Sequence, residues 1–264
     1  MAHKNPKPIL FYEGADSTAQ QEKPVAEYTL MKNVYFSFVD VLGFKQTFDE
    51  NRRNPDDEFA KSFKESFQYF NLLMNGARFA GPGARWNAGQ TSDSLYFYTD
   101  RIDYLSAFIK IYSHFSLYAM SKDVFLRGGI AKGDLYRDEP HQFYGDGVIK
   151  AYLLESSIAK CPRIVIDQNT YVDLEKDGSA MEFLTDKLPP HRNYIKPFAC
   201  VSDGELQSFL NITPAAIYKI TDDEWTGIGK NIQKNMTRFE FDDNNYRKYA
   251  FLQEKFEKSQ NINK

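Results

Sequence analysis

Two aspartates occupy positions where a carboxylate is costly to bury. Asp40 lies within the run VYFSFVDVLGF (residues 34–44), whose β-branched and aromatic composition is typical of a buried central strand. Asp93 stands in TSDS, directly before the apolar strand LYFY (residues 95–98). A carboxylate removed from water costs several kcal/mol unless a positive group compensates it, and residues 34–44 contain no Lys, Arg or His. Each aspartate therefore either lies at the wet end of its strand or has a partner from elsewhere.

A divalent metal ion is one such partner. Two acids at the ends of adjacent strands can converge on one point, where their mutual repulsion favours a divalent cation. The four histidines and two cysteines lack the spacing of a zinc site, so any metal is expected to be held by carboxylate oxygens, which suit Mg²⁺ or Mn²⁺. The alternative for Asp93 is that it only caps a turn, as Asp and Ser often do, and spacing alone does not decide between the two interpretations.

The composition favours an ordinary soluble protein of the cytoplasm. The chain has 264 residues, 42% of them hydrophobic, and a formal net charge of −3, which allows a sizeable core and disfavours binding to a nucleic-acid backbone. No run approaches the ~18 apolar residues of a membrane span, and the N-terminus lacks the pattern of a secretory signal. The two distant cysteines, Cys161 and Cys200, are expected to be thiols in a reducing cytoplasm.

Three regions follow from the hydrophobic pattern along the chain. Residues 1–32 are polar and contain prolines, which predicts a peripheral arm. Residues 33–177 alternate strand and helix patterns and form the predicted central domain, which contains both aspartates. Residues 178–264 have a weaker pattern and are predicted to pack on the same domain as an extension that ends in a helix at about 245–258.

The elements of the central region predict an α/β sandwich, with helices packed on a mixed sheet. In chain order they are a strand at 34–44, a helix capped by Asn54 with a phenylalanine face, a hairpin whose turn lies near 88–92, a helix at 103–120, a strand at 124–131 ending in a polar turn, a helix at 147–160, a strand at 163–167 and a helix from 169.

Four segments of this region resemble, in the same order, the motifs of class III nucleotidyl cyclases. FVDVLGF (38–44) resembles the first metal motif, and QTSDSLYF (90–97) resembles the second metal hairpin. RGGIAKG (127–133) is similar to the arginine-containing strand of these enzymes. FYGDGVIKAYLLE (143–155) falls where they have an aromatic-Gly pair before the helix that carries catalytic side chains. The match covers roughly half the chain, and the order of the motifs carries it.

The resemblance implies an intramolecular reaction in which the ribose 3′-hydroxyl of a nucleoside triphosphate attacks its own α-phosphate and releases pyrophosphate. Asp40 and Asp93 would be the catalytic acids, holding two Mn²⁺ or Mg²⁺ ions, with the backbone carbonyl of Val41 as a further ligand. It also implies a homodimer, because family active sites form between two subunits.

The phosphates would face the backbone amides that follow Val41. By the resemblance these amides belong to Leu42, Gly43 and Phe44, and glycine suits a close approach of backbone to phosphate. Arg127 lies within a strand and is the candidate cation for the triphosphate; the alternative is that it pairs with an acid of the sheet.

The sequence departs from the purine cyclases at the positions that read the base. Those positions hold Gly89 and Gln142, instead of the Lys and Asp expected for adenine or the Glu and Cys expected for guanine. Gln142 is the candidate contact to the base. The transition-state Asn and Arg of the family align near Ile149 and Leu153, which are apolar. An ordinary adenylyl or guanylyl cyclase is therefore not expected.

The same segment resembles the pyrimidine cyclases of Pycsar anti-phage systems, through GDGVIKAYLLESSIAKCPRIVI (145–166). That resemblance implies UTP or CTP as the substrate, with UTP slightly favoured, and a cyclic product that activates a separate effector protein. Two other functions stay open: a decayed cyclase that binds nucleotide or a partner, and an oligonucleotide synthase with a polymerase-type palm.

Overall fold

The computed structural model describes residues 29–51, 58–76, 86–138, 142–178, 201–203, 206–209 and 221–261. The predicted N-terminal arm therefore lies outside the described residues except for its last four, which already belong to the first strand. The predicted Asn54 cap and Cys200 also lie outside them.

Eight strands form one mixed sheet, in the order β2-β3-β1-β4-β6-β8-β7, with β5 paired to β4. The β4–β6 pair is parallel and the other pairs are antiparallel. This confirms the predicted α/β architecture with a mixed sheet. The strands are β1 (Thr29–Val41), β2 (Trp86–Thr91), β3 (Ser94–Thr99), β4 (Leu126–Asp138), β5 (Gln142–Tyr144), β6 (Ile164–Ile166), β7 (Val201–Asp203) and β8 (Leu206–Phe209).

The helices pack on both faces of this sheet and at one end of it. They are α1 (Phe44–Asn51), α2 (Glu58–Gly76), α3 (Ile102–Ser121), α4 (Asp146–Leu153), α5 (Gln168–Asp177), α6 (Asp222–Arg238) and α7 (Asp243–Asn261). A π-helical turn (Leu154–Ile158) extends α4. Within the described part of the chain, none of the helices combines the length and the apolar character required to cross a membrane.

The central strand β1 is buried on both faces, as its composition predicts. Val39 points into a cluster shared with α2, α3 and α5, whereas Phe36 points into a cluster shared with α4. The phenylalanine face of α2 belongs to the first cluster, where the Phe63 and Phe67 rings lie 4.3 Å apart. The predicted helix at 103–120 is confirmed as α3. These elements were predictable because their hydrophobic periodicity is local.

Several boundaries differ from the prediction for identifiable reasons. The β2–β3 turn comprises Ser92 and Asp93, later than predicted, because β2 stays paired with β3 as far as Thr91. Strand β4 continues through the predicted polar turn to Asp138, since its second half pairs with the start of β1. Helix α5 begins one residue early, because the Asp167 side chain accepts a hydrogen bond from the Thr170 amide and caps the helix.

Two helices, α1 and α6, were not predicted. Helix α6 begins with a capping box between Thr221 and Glu224 and forms a hairpin with α7. This hairpin packs against the end of the sheet through a further apolar cluster, in which Tyr249 of α7 meets Phe125 edge-on with ring centroids 5.1 Å apart. The cluster includes Leu42, so the C-terminal helices contact the end of β1 directly.

Candidate active site

The sheet register brings Asp40 and Asp93 to the same end of two paired strands. Asp40 on β1 lies opposite Ser94 of β3, and Asp93 precedes that serine in the two-residue turn. The Ser94 hydroxyl donates to Asp40 Oδ1 at 3.2 Å, and the Val41 amide donates to the Asp93 carbonyl at 3.3 Å. The predicted hairpin and strand thus form one structural unit with both acids on it.

Arg127 of β4 is the positive group closest to Asp40 on the sheet. The two residues are direct partners in the β1–β4 register, and Arg127 Nη2 lies 3.7 Å from Asp40 Oδ2. Arg127 Nε lies 2.7 Å from Glu155 Oε1, with the N–H not directed at that oxygen, so the contact is an ion pair rather than a hydrogen bond. The structure shows the second alternative, in which Arg127 pairs with acids, and it also places Arg127 on the wall of the candidate site. Its contact with a triphosphate stays a prediction.

Glu155 is a site-adjacent acid that sequence reasoning did not assign. Only 3% of its surface is exposed, and it directly follows Leu153 and Leu154 in the sequence. The π-helical turn that starts at Leu154 carries it toward the sheet. The sequence signal was its position on the same helical face as Val148 and Ala151, but its partner on another strand is a tertiary contact.

The electrostatics of the acids follow from burial and crowding. Burial raises the pKa of the Asp40 carboxyl to about 7, and the negative charges of Asp93 and Glu155 act in the same direction. Arg127 and the Ser94 hydrogen bond oppose this rise in pKa without cancelling it. Burial likewise raises the pKa of Glu155, which Arg127 opposes. Arg127 therefore does not fully offset the cost of ionising these two buried carboxyls.

Helix α1 presents its N-terminus to the same site. Gly43 has a φ of 72°, in the left-handed region that glycine tolerates best, and it turns the chain from β1 into α1. The first intrahelical bond runs from the Thr47 amide to the Gly43 carbonyl, so the preceding amides are the open N-terminal donors of the helix. Such a terminus favours anions.

The structure corrects the prediction for Leu42. Its amide donates to the Phe125 carbonyl at 2.8 Å, and its side chain is buried in the C-terminal apolar cluster. Gly43 and Phe44, in contrast, line the site. Two of the three predicted phosphate-facing amides therefore remain available to a ligand.

The two aspartates, Arg127 and the N-terminus of α1 line a cavity of about 710 Å³. Its chemistry is mixed, with four carboxylates and three cations around the N-terminus of α1. It is lined by Asp40, Val41, Gly43, Phe44, Lys45, Gln46, Asp49, Glu50, Asp93, Arg127, Asn245 and Lys248. A second cavity of about 660 Å³ between α6 and α7 holds one carboxylate, Glu257, and a third of about 700 Å³ is lined by Glu50, Glu58, Glu65 and Asp123. The first cavity differs from both in combining two strand-end acids with the N-terminus of α1.

The donor set of this cavity fits a hard divalent cation. Among the residues that the structure describes, no three His, Cys, Asp or Glu side chains are grouped as a metal site. Mg²⁺ needs only one or two protein carboxylates, since water and substrate phosphates complete its shell. Asp40 and Asp93 supply that number. Burial first, and the negative charges of Asp93 and Glu155 second, raise the pKa of Asp40, and a bound cation would oppose both effects. Val41, the third predicted ligand, lines the same cavity.

The residues expected to read the base lie further along the sheet. Gly89 pairs with Tyr96, and a Cβ at Gly89 would lie 2.4 Å from the Tyr96 hydroxyl, so the tyrosine covers the position where purine enzymes carry a side chain. Gln142 begins β5, and its side chain lies outside the described part of the structure. Ile149 and Leu153 are 59% and 51% exposed.

Two residues of the cavity, Asn245 and Lys248, come from α7, which sequence analysis treated as an extension of unknown role. Their spacing of three residues places both on one helical face, which is the only signal the sequence offered.

No protein-family model matches this chain, and no curated protein matches it. Solved structures with a similar arrangement include the catalytic core of a rhodopsin-guanylyl cyclase with converted specificity in complex with ATPαS, at 16% identity and a TM-score of 0.44, covering 71% of this chain and 99% of that one. A bacterial light-regulated adenylyl cyclase is 13% identical with a TM-score of 0.46, and the match covers 80% of this chain and 59% of that one.

Adenylate cyclases from Trypanosoma brucei in their monomeric state give a similar result. The identity is 11% and the TM-score 0.44, covering 74% of this chain and 94% of the other. At these values the likeness assigns neither a substrate nor an activity to this chain.

Proposed function

We propose that this protein is a metal-dependent nucleotidyl cyclase that converts a pyrimidine nucleoside triphosphate to its 3′,5′-cyclic nucleotide. The observation that carries the proposal is the convergence of Asp40 and Asp93 in one cavity with the N-terminus of α1. Paired acids fit divalent cations, and a helix N-terminus fits phosphate, so the two features together fit a metal–triphosphate substrate.

The reaction is an intramolecular displacement. A bond forms between the 3′-oxygen and the α-phosphorus, and the bond between the α-phosphorus and the oxygen that bridges it to the β-phosphate breaks. Pyrophosphate leaves with the electrons of that bond, and the proton of the 3′-hydroxyl is released to solvent. Asp40, Asp93 and the Val41 carbonyl are the groups that would hold two Mn²⁺ or Mg²⁺ ions. Bound divalent ions supply acidification of the hydroxyl and neutralisation of phosphate charge.

The chain's own groups bind and orient the triphosphate. The amides of Gly43 and Phe44 donate to phosphate oxygens at the positive end of α1. Arg127 keeps a positive charge beside Asp40, and its position is fixed by the ion pair to buried Glu155. A cation held in this way does not have to reorganise as charge develops on the leaving pyrophosphate.

The pyrimidine preference rests on the surface next to Gly89. The Tyr96 ring covers this glycine and lies with its centroid 4.6 Å from that of Phe143, which narrows the space available to a two-ring base. Gln142 both donates and accepts hydrogen bonds, which suits the carbonyl and N3 edge of uracil or cytosine. UTP is slightly favoured over CTP.

The proposed assembly is a homodimer. Ile149, Tyr152 and Leu153 expose more than half of their surface on one short helix, an apolar patch that a second copy of the chain would cover. By the sequence resemblance to Pycsar systems, the cyclic product serves as an anti-phage signal in the cytoplasm and activates a separate effector protein.

One incubation separates this function from its alternatives. The protein is supplied with UTP, CTP, ATP and GTP together, with Mn²⁺ and separately with Mg²⁺, and the products are resolved by mass spectrometry. We expect monomeric cyclic pyrimidine nucleotide. Linear or cyclic oligomers would establish an oligonucleotide synthase, and no turnover with intact nucleotide binding would establish a decayed regulatory module.

A further inference from the structure

The candidate active-site cavity has a lysine from the C-terminal helix α7 on its wall. Lys248 lines the cavity that holds Asp40 and Asp93, although it belongs to a different part of the chain. Its side chain is half-buried, whereas Lys45, the other lysine of the cavity, is exposed. A half-buried ammonium at a cavity of this kind requires an explanation, since lysine is rarely buried without a partner.

Hydrogen bonds orient Lys248 from within its own helix. Its ammonium donates to Asn245 Oδ1 at 2.7 Å, and Asn245 Nδ2 donates to Asp242 Oδ2 at 2.7 Å. Asp242 also accepts from the Asn245 backbone amide at 3.1 Å, which caps α7. The cap, the amide and the ammonium form a continuous chain that ends in the cavity.

Lys248 is not neutralised by a carboxylate within the described residues. Its hydrogen-bond partner is the neutral side-chain amide of Asn245, and an ammonium has three N–H donors. Burial lowers its pKa, the positive charge of Arg127 adds to that effect, and the negative charge of Asp242 opposes it. Arg127 and Lys248 line the same cavity, which therefore has two positive side chains beside the acids. Arg127 already has Glu155 and Asp40 as counter-charges, so Lys248 is the cation of this pair whose charge a bound anion would compensate.

Helix α7 is anchored where it can hold this position. Tyr249, next to Lys248, is 6% exposed and packs on Phe125. The Phe125 carbonyl accepts a hydrogen bond from the Leu42 amide, just after the end of β1. Arg238 at the end of α6 pairs with Glu50 of α1. The C-terminal hairpin therefore packs against the chain that follows β1, which carries Asp40, and against α1, whose N-terminus faces the cavity.

We propose that Lys248, oriented by Asn245, binds the polyphosphate of the substrate and is a catalytic residue supplied by the same chain as Asp40 and Asp93. This inference rests on the proposed function and adds a residue to its site. It also explains how the site can function with apolar residues at positions 149 and 153 of the α4 segment, because α7 supplies a positive side chain instead.

The test uses full-length protein and inorganic tripolyphosphate as the probe, with binding measured by calorimetry in the presence of Mn²⁺. Lys248→Met keeps the length of the side chain and removes its charge, and Lys248→Arg keeps the charge. The matched control is Arg247→Met on the same helix, because that side chain is 80% exposed and pairs with Asp243 outside the cavity. Thermal unfolding of every variant checks that the fold is retained.

We expect Lys248→Met to weaken tripolyphosphate binding about tenfold, the loss of one charge-assisted contact, and to lower kcat/KM for the nucleotide by at least as much. Lys248→Arg should recover binding to within about threefold, and Arg247→Met should bind as the wild type does. Salt dependence of binding should also decrease in Lys248→Met.

Wild-type affinity in Lys248→Met, an equal loss in Arg247→Met, or no tripolyphosphate binding by the wild type would each overturn the inference. The proposed function fails on a different result, the absence of cyclic product from the wild type. Because the binding series needs no turnover, the two failures are distinguishable.

Discussion

Arg127 Nε lies 2.7 Å from Glu155 Oε1, which joins the central sheet to the π-helical turn at the edge of the candidate site. Glu155 is almost fully buried, and the same guanidinium reaches Asp40 at 3.7 Å. One cation is thus shared between two acids, and the more buried acid holds it more closely. This sharing leaves Asp40 partly uncompensated and able to bind another cation.

Glu155→Gln should therefore lower both stability and activity. Removing one partner of a buried ion pair leaves the other uncompensated, and with an isosteric amide we expect a loss of about 1–3 kcal/mol in the free energy of unfolding. Arg127 would then move toward Asp40 and compete with the metal, which should reduce kcat/KM at least tenfold. Denaturant unfolding and steady-state kinetics measure both effects. The control is Glu175→Gln at an exposed position of α5, and equal losses of stability and of kcat/KM in this variant would refute this account.

Asp40→Asn and Asp93→Asn should each abolish turnover, by about a thousandfold or more, without unfolding the protein. Each substitution keeps the shape of the side chain and removes a charge that a divalent cation requires. The measurement is the rate of cyclic product formation at saturating Mn²⁺. The control is Asp223→Asn at an exposed position of α6. A rate within tenfold of wild type in either variant would refute the two-acid assignment.

The raised pKa of Asp40 predicts how stability depends on pH when the protein is free of metal. The folded-state pKa of about 7 exceeds the ordinary value, so the folded protein binds more protons than the unfolded chain between about pH 4 and pH 7. Stability from this group is therefore greatest at low pH and is lost as the pH rises through about 7.

Asp40→Asn should remove this dependence. At pH 8 in a chelator we expect the variant to be more stable than the wild type by roughly 1–3 kcal/mol, a gain that shrinks below pH 7 and disappears near pH 4. Thermal unfolding across this pH range measures the difference. Mn²⁺ at pH 8 should raise the melting temperature of the wild type and not that of the variant, and parallel pH profiles for the two proteins would contradict the shifted pKa.

Gly43 and Gly178 provide a matched pair for the phosphate site. Both have left-handed backbones, with φ of 72° and 73°, and a Cβ at either would meet nothing within 4 Å. Alanine at each should cost a similar ~1 kcal/mol of stability, because the strain is the same. Only Gly43→Ala should also weaken binding of a non-hydrolysable nucleoside triphosphate, since Gly178 caps α5 away from the cavity. If the two variants bind the nucleoside triphosphate with equal affinity, Gly43 does not contact it.

Tyr96→Ala tests the basis of pyrimidine selectivity. Removing the ring that covers Gly89 opens the sheet surface to a larger base, so kcat/KM for ATP or GTP should rise about tenfold relative to the better pyrimidine. The comparison uses all four nucleotides with Mn²⁺. Tyr136→Ala, which removes an exposed ring stacked on Tyr144, is the control. Unchanged selectivity in Tyr96→Ala would mean that this ring does not limit the base.

The sequence by itself determined the elements whose signal is local. The apolar run around Asp40, the periodic α3 and the apolar strand after Asp93 were predictable because strand and helix periodicity are written within about a dozen residues. The two acids were found for the same reason, as charges that interrupt or adjoin apolar strands. Helices α1 and α6 were not predicted, since α1 is short and α6 is polar outside its buried stripe.

The tertiary structure alone decided which groups meet. The register of β1 against β3 and β4 sets Asp40 opposite Ser94 and Arg127, and a shift of one residue would have turned Asp40 to the opposite face. The burial of Glu155 depends on a π-helical turn, and the arrival of Lys248 depends on a cluster that packs α7 against the end of the sheet. These contacts join residues far apart in the chain, and packing rather than local propensity selects them.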